Sequence, residues 1–199
     1  MLEFLEAEHL YLLDGVIIPS VSEILRFVFP DKYKGVPAEV LSKKAEYGTK
    51  VHEAIEVLEK TGEVIELDYI QKASLEQYLK LKEKYDIEVI EQEEMIHFED
   101  KYAGRFDMIA YVKGDYSLCD IKTTAELDYE YLSWQLSLYA YAYKRMYPEV
   151  NFKKLCSIWL PKKQIGHVVK IQKKTDEEIE ELLKRYEEDN KIWQTSQIQ

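Results

Sequence analysis

Two short apolar stretches, at residues 9–13 and 16–18, flank Asp14-Gly15, so the chain opens with a predicted two-residue β-hairpin. Pro19-Ser20-Val-Ser-Glu23 follows with a capping box from Ser20 to Glu23, and Val21, Ile24, Leu25 and Val28 recur at helical spacing. Phe29-Pro30-Asp31 breaks that helix. The pattern then predicts a long helix over residues 37–58, ending near Thr61-Gly62, and an amphipathic one over residues 67–85. Residues 88–98 read as a single strand. Residues 108–112 and 116–121 are β-prone runs around Lys113-Gly114-Asp115, a tight turn. Residues 129–147 form a helix rich in tyrosine. A second strand pair, residues 155–160 and 167–171, precedes a capping box at Thr175 and Glu178. The final helix runs to about Trp193, with the last few residues frayed.

At 199 residues the chain is long enough to bury a proper core, and the expected class is α/β. No apolar run approaches the ~20 residues of a membrane span, and the N-terminus carries no secretory signal pattern. A cytoplasmic protein is expected. Cys119 and Cys156 stand alone in apolar strand contexts, so they read as buried thiols. The net charge of −11 weighs against non-specific nucleic-acid binding, unless positive charge is concentrated locally. The most basic region is residues 153–174, with seven lysines, although lysines also protect ordinary sheet edges.

The candidate chemistry lies in the hairpin at residues 103–122. If Lys113-Gly114 is the turn, Asp107 lies opposite Asp120; a turn one residue along places Asp107 opposite Lys122. In either register Asp107, Asp120 and Lys122 share a face. Two carboxylates at such spacing repel unless a cation separates them, and oxygen ligands of this kind suit Mg²⁺ or Mn²⁺. Lys122 beside them can hold a water and offset charge on a reacting phosphate. An Asp-x-Lys on an exposed hairpin would otherwise carry no chemistry, and the opposed Asp107 distinguishes this one.

Gly104-x-x-Asp107, then Asp120-Ile-Lys122-Thr-Thr, then Gln135-x-x-x-Tyr139 resembles the PD-(D/E)XK nuclease superfamily, in its RecB-like and viral (lambda-type) exonuclease branch. The resemblance covers about residues 19–147. Phe106 stands where a proline often precedes the first acid, and Asp120 fills a position that can be Glu. It implies a restriction-endonuclease-like mixed central β-sheet flanked by helices. Residues 1–199 would form a single nuclease domain: hairpin and helix to residue 35, catalytic core over 36–175, C-terminal helix over 176–199.

The implied metal ligands are Asp107, Asp120 and the carbonyl of Ile121, with His52 contributing from a Gly48-x-x-x-His52 helix. Glu93 or Glu94 could add a carboxylate. Lys122 would orient or activate the water, while Gln135 and Tyr139, one helical turn apart, would complete the catalytic set. Thr123 and Thr124 are candidate DNA contacts. The expected activity is Mg²⁺-dependent hydrolysis of DNA, with Mn²⁺ an accepted substitute, most consistent with an exonuclease on double-stranded ends in phage-type recombination or repair. The alternatives are an endonuclease of the same fold and a non-cleaving DNA-binding module. With two cysteines, the chain lacks the four that hold the iron–sulfur cluster of some RecB-like relatives. The resemblance also implies a bacterial or phage-infected cytosol and a single-strand annealing protein as partner, and it leaves a homo-oligomer open.

Overall fold

The computed structural model describes residues 1–196, with side chains described through residue 190. The frayed end expected of residues 197–199 lies outside the described residues. Three strands come first: β1 (Leu2–Leu5), β2 (Leu10–Leu13) and β3 (Val16–Ile18) form an antiparallel meander. The Asp14-Gly15 turn joins the second and third with both residues at positive φ, 50° and 81°, as a two-residue hairpin loop of this kind demands. Sequence periodicity did not signal β1, which is too short for a pattern.

α1 (Val21–Val28) starts at the Ser20 cap. The Glu23 N–H donates to the Ser20 hydroxyl at 3.1 Å, and the Ser20 N–H donates to the Glu23 carboxylate at 2.7 Å. α2 (Ala38–Thr61) ends at Gly62 in the left-handed conformation, and α3 (Tyr69–Tyr85) begins on a capping box of Asp68 and Gln71.

The predicted single strand over residues 88–98 is instead two, β4 (Ile87–Gln92) and β5 (Met95–Phe98). Between them Glu93 takes φ 53°, which turns the chain out of the first sheet. β5 pairs with β6 (Tyr102–Arg105), a strand that sequence reading also missed. The chain then returns through Phe106 and Asp107 to β7 (Met108–Val112) and β8 (Asp115–Lys122).

The hairpin register settles on Val112 opposite Asp115 and Met108 opposite Cys119. α4 (Tyr129–Met146) crosses to β9 (Lys154–Trp159), which pairs parallel with β8; β10 (His167–Ile171) follows, then α5 (Asp176–Ser196). The main sheet has the order β10-β9-β8-β7-β4, with every pairing antiparallel except β8–β9. This is the restriction-endonuclease-like mixed sheet flanked by helices.

Strand alternation divides the core in two. Ile109, Leu118, Leu155 and Ile171 pack under α1, α4 and α5, whereas Met108, Ala110, Cys119, Cys156 and Ile158 pack under α2 and α3. Asp120 and Lys122 follow Leu118 at steps of two, so they lie on the α4 side at the end of β8. Among the described residues no helix is long and apolar enough to cross a membrane.

Candidate metal centre

The site forms where β8 ends, β7 begins and the chain kinks between β4 and β5. Asp107 sits one residue before β7, and its Oδ2 accepts the Ile121 N–H at 2.6 Å, which fixes the carboxylate across the two strands. From the other side α2 presents His52. Its Nε2 lies 2.9 Å from the Ile121 carbonyl, a partner that can only accept, so Nε2 carries the proton. That tautomer leaves the Nδ1 lone pair open, 3.7 Å from Asp107 Oδ2.

Glu93 completes the group: His52, Glu93 and Asp107 each offer a ligand atom, all within 4.8 Å of one another. The left-handed kink at Glu93 is what brings it there. The kink is tied down by hydrogen bonds from the Glu93 N–H to the Asp107 carbonyl (3.1 Å) and from the Phe106 N–H to the Glu94 carbonyl (3.2 Å). A non-glycine residue held at positive φ by surrounding contacts is a common mark of a functional position. Of the two glutamates open at the sequence level, Glu93 enters the cluster while Glu94 is exposed.

Asp120 is buried, and the Lys122 ammonium lies 2.7 Å from its carboxylate. Even so, Asp120 Oδ2 makes no directional hydrogen bond. Burial pushes the Asp120 carboxyl up to about 6, against the pull of Lys122 and with the help of Asp107. Burial works against the Lys122 ammonium too, but Asp120 and Asp107 outweigh it and raise its pKa. The lysine therefore stays charged, and the acid is the member of the pair that can change protonation near neutrality. Glu93 is pushed up to about 7 by burial and by the charge of Asp107, with Arg105 and His52 opposing.

These are the features of a place short of positive charge. Three ligand atoms converge, and the Glu93 carboxyl resists ionisation through burial and the neighbouring charge of Asp107. A hard divalent cation fits this donor set, with His52, Glu93 and Asp107 as its ligands; Asp120, also expected to hold the metal, is not part of that group and is paired with Lys122.

The other expected residues fall around this cluster. The Ile121 carbonyl, expected as a ligand, is engaged by His52 and has one lone pair left. Gln135 lies beside the Tyr139 hydroxyl on α4, and its Oε1 is buried without a hydrogen-bond partner. Tyr139 is itself buried and packs against Gly104; a Cβ there would stand 2.6 Å from its ring. The glycine of Gly104-x-x-Asp107 is thus required by Tyr139, a link between two motifs. Thr124 spends its hydroxyl on the Glu126 carbonyl at 2.7 Å, while Thr123 Oγ1 lies 3.5 Å from where a Gly48 Cβ would be. That distance is an ordinary contact, so Gly48 is close to the site loop but not forced to be glycine.

Arg105 was not singled out from the sequence. Its Nε lies 3.0 Å from Glu93 Oε2, and its place two residues before Asp107 was the available signal. In the basic region, Lys154 pairs with Asp115 and Lys174 with Glu130.

The sheet thus brings Asp120 and Lys122 to one strand end, beside Asp107 and a group of side chains that could hold a cation. The PD-(D/E)XK nuclease superfamily model matches residues 24–198, and the chain belongs to that superfamily, whose nucleases use divalent metals. No curated protein matches it. Among solved structures, one described as the crystal structure of SSO0001 aligns at a TM-score of 0.48 and 18% identity, over 89% of this chain and 76% of its own.

Proposed function

We propose that the protein is a Mg²⁺-dependent deoxyribonuclease of the RecB-like and viral exonuclease branch, with residues 1–199 acting as one nuclease domain that degrades double-stranded DNA from its ends. The observation that carries this reading is the convergence of His52, Glu93 and Asp107 ligand atoms beside the Asp120–Lys122 pair. A divalent cation held there would neutralise the phosphate and acidify a water. Asp107 is oriented by the Ile121 N–H, and His52 by the Ile121 carbonyl, so both donors are set before any ligand arrives.

Lys122, kept protonated by its acids, donates hydrogen bonds to the attacking water or to the non-bridging phosphate oxygens, where negative charge builds. The new bond joins the water oxygen to phosphorus and the bond to the 3′-oxygen breaks, leaving a 5′-phosphate and a 3′-hydroxyl. Asp120, buried beside Lys122, would take the water proton, and a solvent water would protonate the departing 3′-oxygen. The motif pair Gly48-x-x-x-His52 and Gln135-x-x-x-Tyr139 supports action at ends. The test is linear duplex against covalently closed circular duplex of the same sequence in Mg²⁺. Acid-soluble nucleotides from the linear form alone are expected. Discrete internal cuts in the circle would establish an endonuclease instead, and no release from either form would leave a binding module.

A further inference from the structure

The break after α1 leaves a feature that the metal centre does not use. Between the end of α1 and the start of α4 lies a groove of about 230 Å³, floored by Leu25, Phe29 and Pro30 and rimmed by Arg26, Lys32, Tyr33, Lys34 and Tyr131. Residues 26–34 carry three cationic side chains against one acid, Asp31, in a chain whose net charge is −11. Aromatic faces stand among them. Lys32 Nζ lies 4.1 Å from the Tyr131 ring centre and 5.8 Å from that of Tyr33, and the Phe29 and Tyr131 rings are 5.5 Å apart.

The groove is tied to the start of α4. Asp128 caps α4 by accepting the Tyr131 N–H at 3.0 Å and also binds the Lys32 ammonium, so one carboxylate fixes the two walls together. Burial raises the pKa of the Tyr131 hydroxyl, with the charges of Tyr33 and Asp120 adding to it and Lys122 opposing. A space of this size is below the ~300 Å³ at which pockets enclose a whole small-molecule ligand. It suits one flat ring on an aromatic wall, with anionic groups on either side reaching the lysines and arginine. That combination is how single-stranded nucleic acid is held: bases stack on aromatic side chains and phosphates track cations.

We infer that this groove is a nucleotide subsite, in which one base of an unpaired DNA strand stacks on the exposed Tyr33 ring while its flanking phosphates contact Arg26 and compete with Asp128 and Asp31 for Lys32 and Lys34. The ligand class rests on the nuclease reading, but the subsite can be tested without catalysis. Tyr33 is 51% exposed, so its removal should leave folding intact.

Binding of a short fluorescent single-stranded oligonucleotide is measured by anisotropy in EDTA, where no hydrolysis occurs. Tyr33→Ala is expected to weaken binding by about fivefold or more, the lower end of what stacking on one aromatic contributes, with an unchanged melting temperature. Tyr33→Phe should bind as the wild type does. An oligonucleotide lacking bases should bind the wild type as weakly as the normal one binds Tyr33→Ala. Arg26→Gln should reduce the slope of log affinity against log salt by about 0.7, one phosphate contact on a single strand. Equal affinity of Tyr33→Ala and the wild type would overturn the subsite, as would failure of the wild type to bind. Loss of binding in Tyr33→Ala, combined with no hydrolysis by the wild type in Mg²⁺ or Mn²⁺, would support the subsite and refute the nuclease reading.

Discussion

Replacing Gly104 by alanine tests the contact that joins two of the sequence motifs. The added Cβ would lie 2.6 Å from Tyr139 Cε1 and 3.1 Å from Val21 Cγ2, against the ~3.5–4.0 Å at which carbon atoms rest. The Tyr139 ring must therefore retreat by about 1 Å, and it lies on the buried face of α4, packed in the core. Gly104 lies outside the positive-φ set, so backbone strain adds nothing and the cost is steric. Overpacking of this kind costs about 1–3 kcal/mol. For a chain of this length each kcal/mol lowers the melting temperature by about 2–4 °C, so a fall of roughly 2–12 °C is expected. Thermal unfolding followed by circular dichroism measures it, and the Tyr139→Leu background supplies the control. Leucine lacks the clashing ring atom, so Gly104→Ala should cost less than half as much there. A melting temperature within a degree of the wild type would refute the argument. An equal cost in both backgrounds would show that Tyr139 is not the cause.

Lys122→Ala should abolish cleavage while Mn²⁺ binding, followed by calorimetry, stays near normal; retained cleavage would place the water-orienting role elsewhere. His52→Ala should raise the metal concentration needed for half-maximal cleavage by about tenfold or more, with little change in melting temperature. A core histidine would show the reverse. In EDTA, stability should fall as pH rises from about 4.5 through about 7. Glu93 holds its proton more tightly folded than unfolded, so its favourable contribution is complete below the unfolded value and is lost through the folded one. Glu93→Gln should flatten that fall and exceed the wild type in denaturant midpoint at pH 8; an unchanged pH dependence would mean that Glu93 ionises freely.

Much of the site was legible because it is built from local rules. Period-two alternation put Asp120 and Lys122 on one face, and the Gly114 turn set a register that carries Asp107 toward Asp120, where its carboxylate accepts the Ile121 N–H. The Ser20 cap and Gly62 terminus were legible for the same reason, since each is a short-range hydrogen-bonding requirement. The kink at Glu93 was not. Glu88 to Phe98 alternates well enough to pass for one strand, and a glutamate at positive φ is advertised by no residue preference. Its support comes from Phe106 and Asp107, which are distant in sequence. Without the kink, the choice between Glu93 and Glu94 had no physical basis.

The net charge shows where composition misleads. An acidic chain of −11 suggests repulsion from DNA, and the lysine-rich stretch at residues 153–174 looked like the natural compensation. In the fold, Lys154 and Lys174 are held by Asp115 and Glu130, so part of that charge is spent within the protein. Much of the acidity is likewise neutralised along helices, as in Glu39–Lys43 and Glu56–Lys60. Unpaired charge beyond a Debye length of about 8 Å is screened at physiological salt, so a distant acidic helix weighs little on a phosphate in the cleft. The local cations are paired too, Lys122 with Asp120, Arg105 with Glu93, Lys32 with Asp128 and Lys34 with Asp31, so a phosphate there would compete with those acids, while Arg26 on the groove rim has no such partner among the described residues. Arg26 lies in the last turn of α1, and Lys32 and Lys34 lie in the break that the sequence marks as a helix stop. Only its contact with Asp128 and Tyr131, distant in the chain, gives Lys32 a direction and sets it against the start of α4.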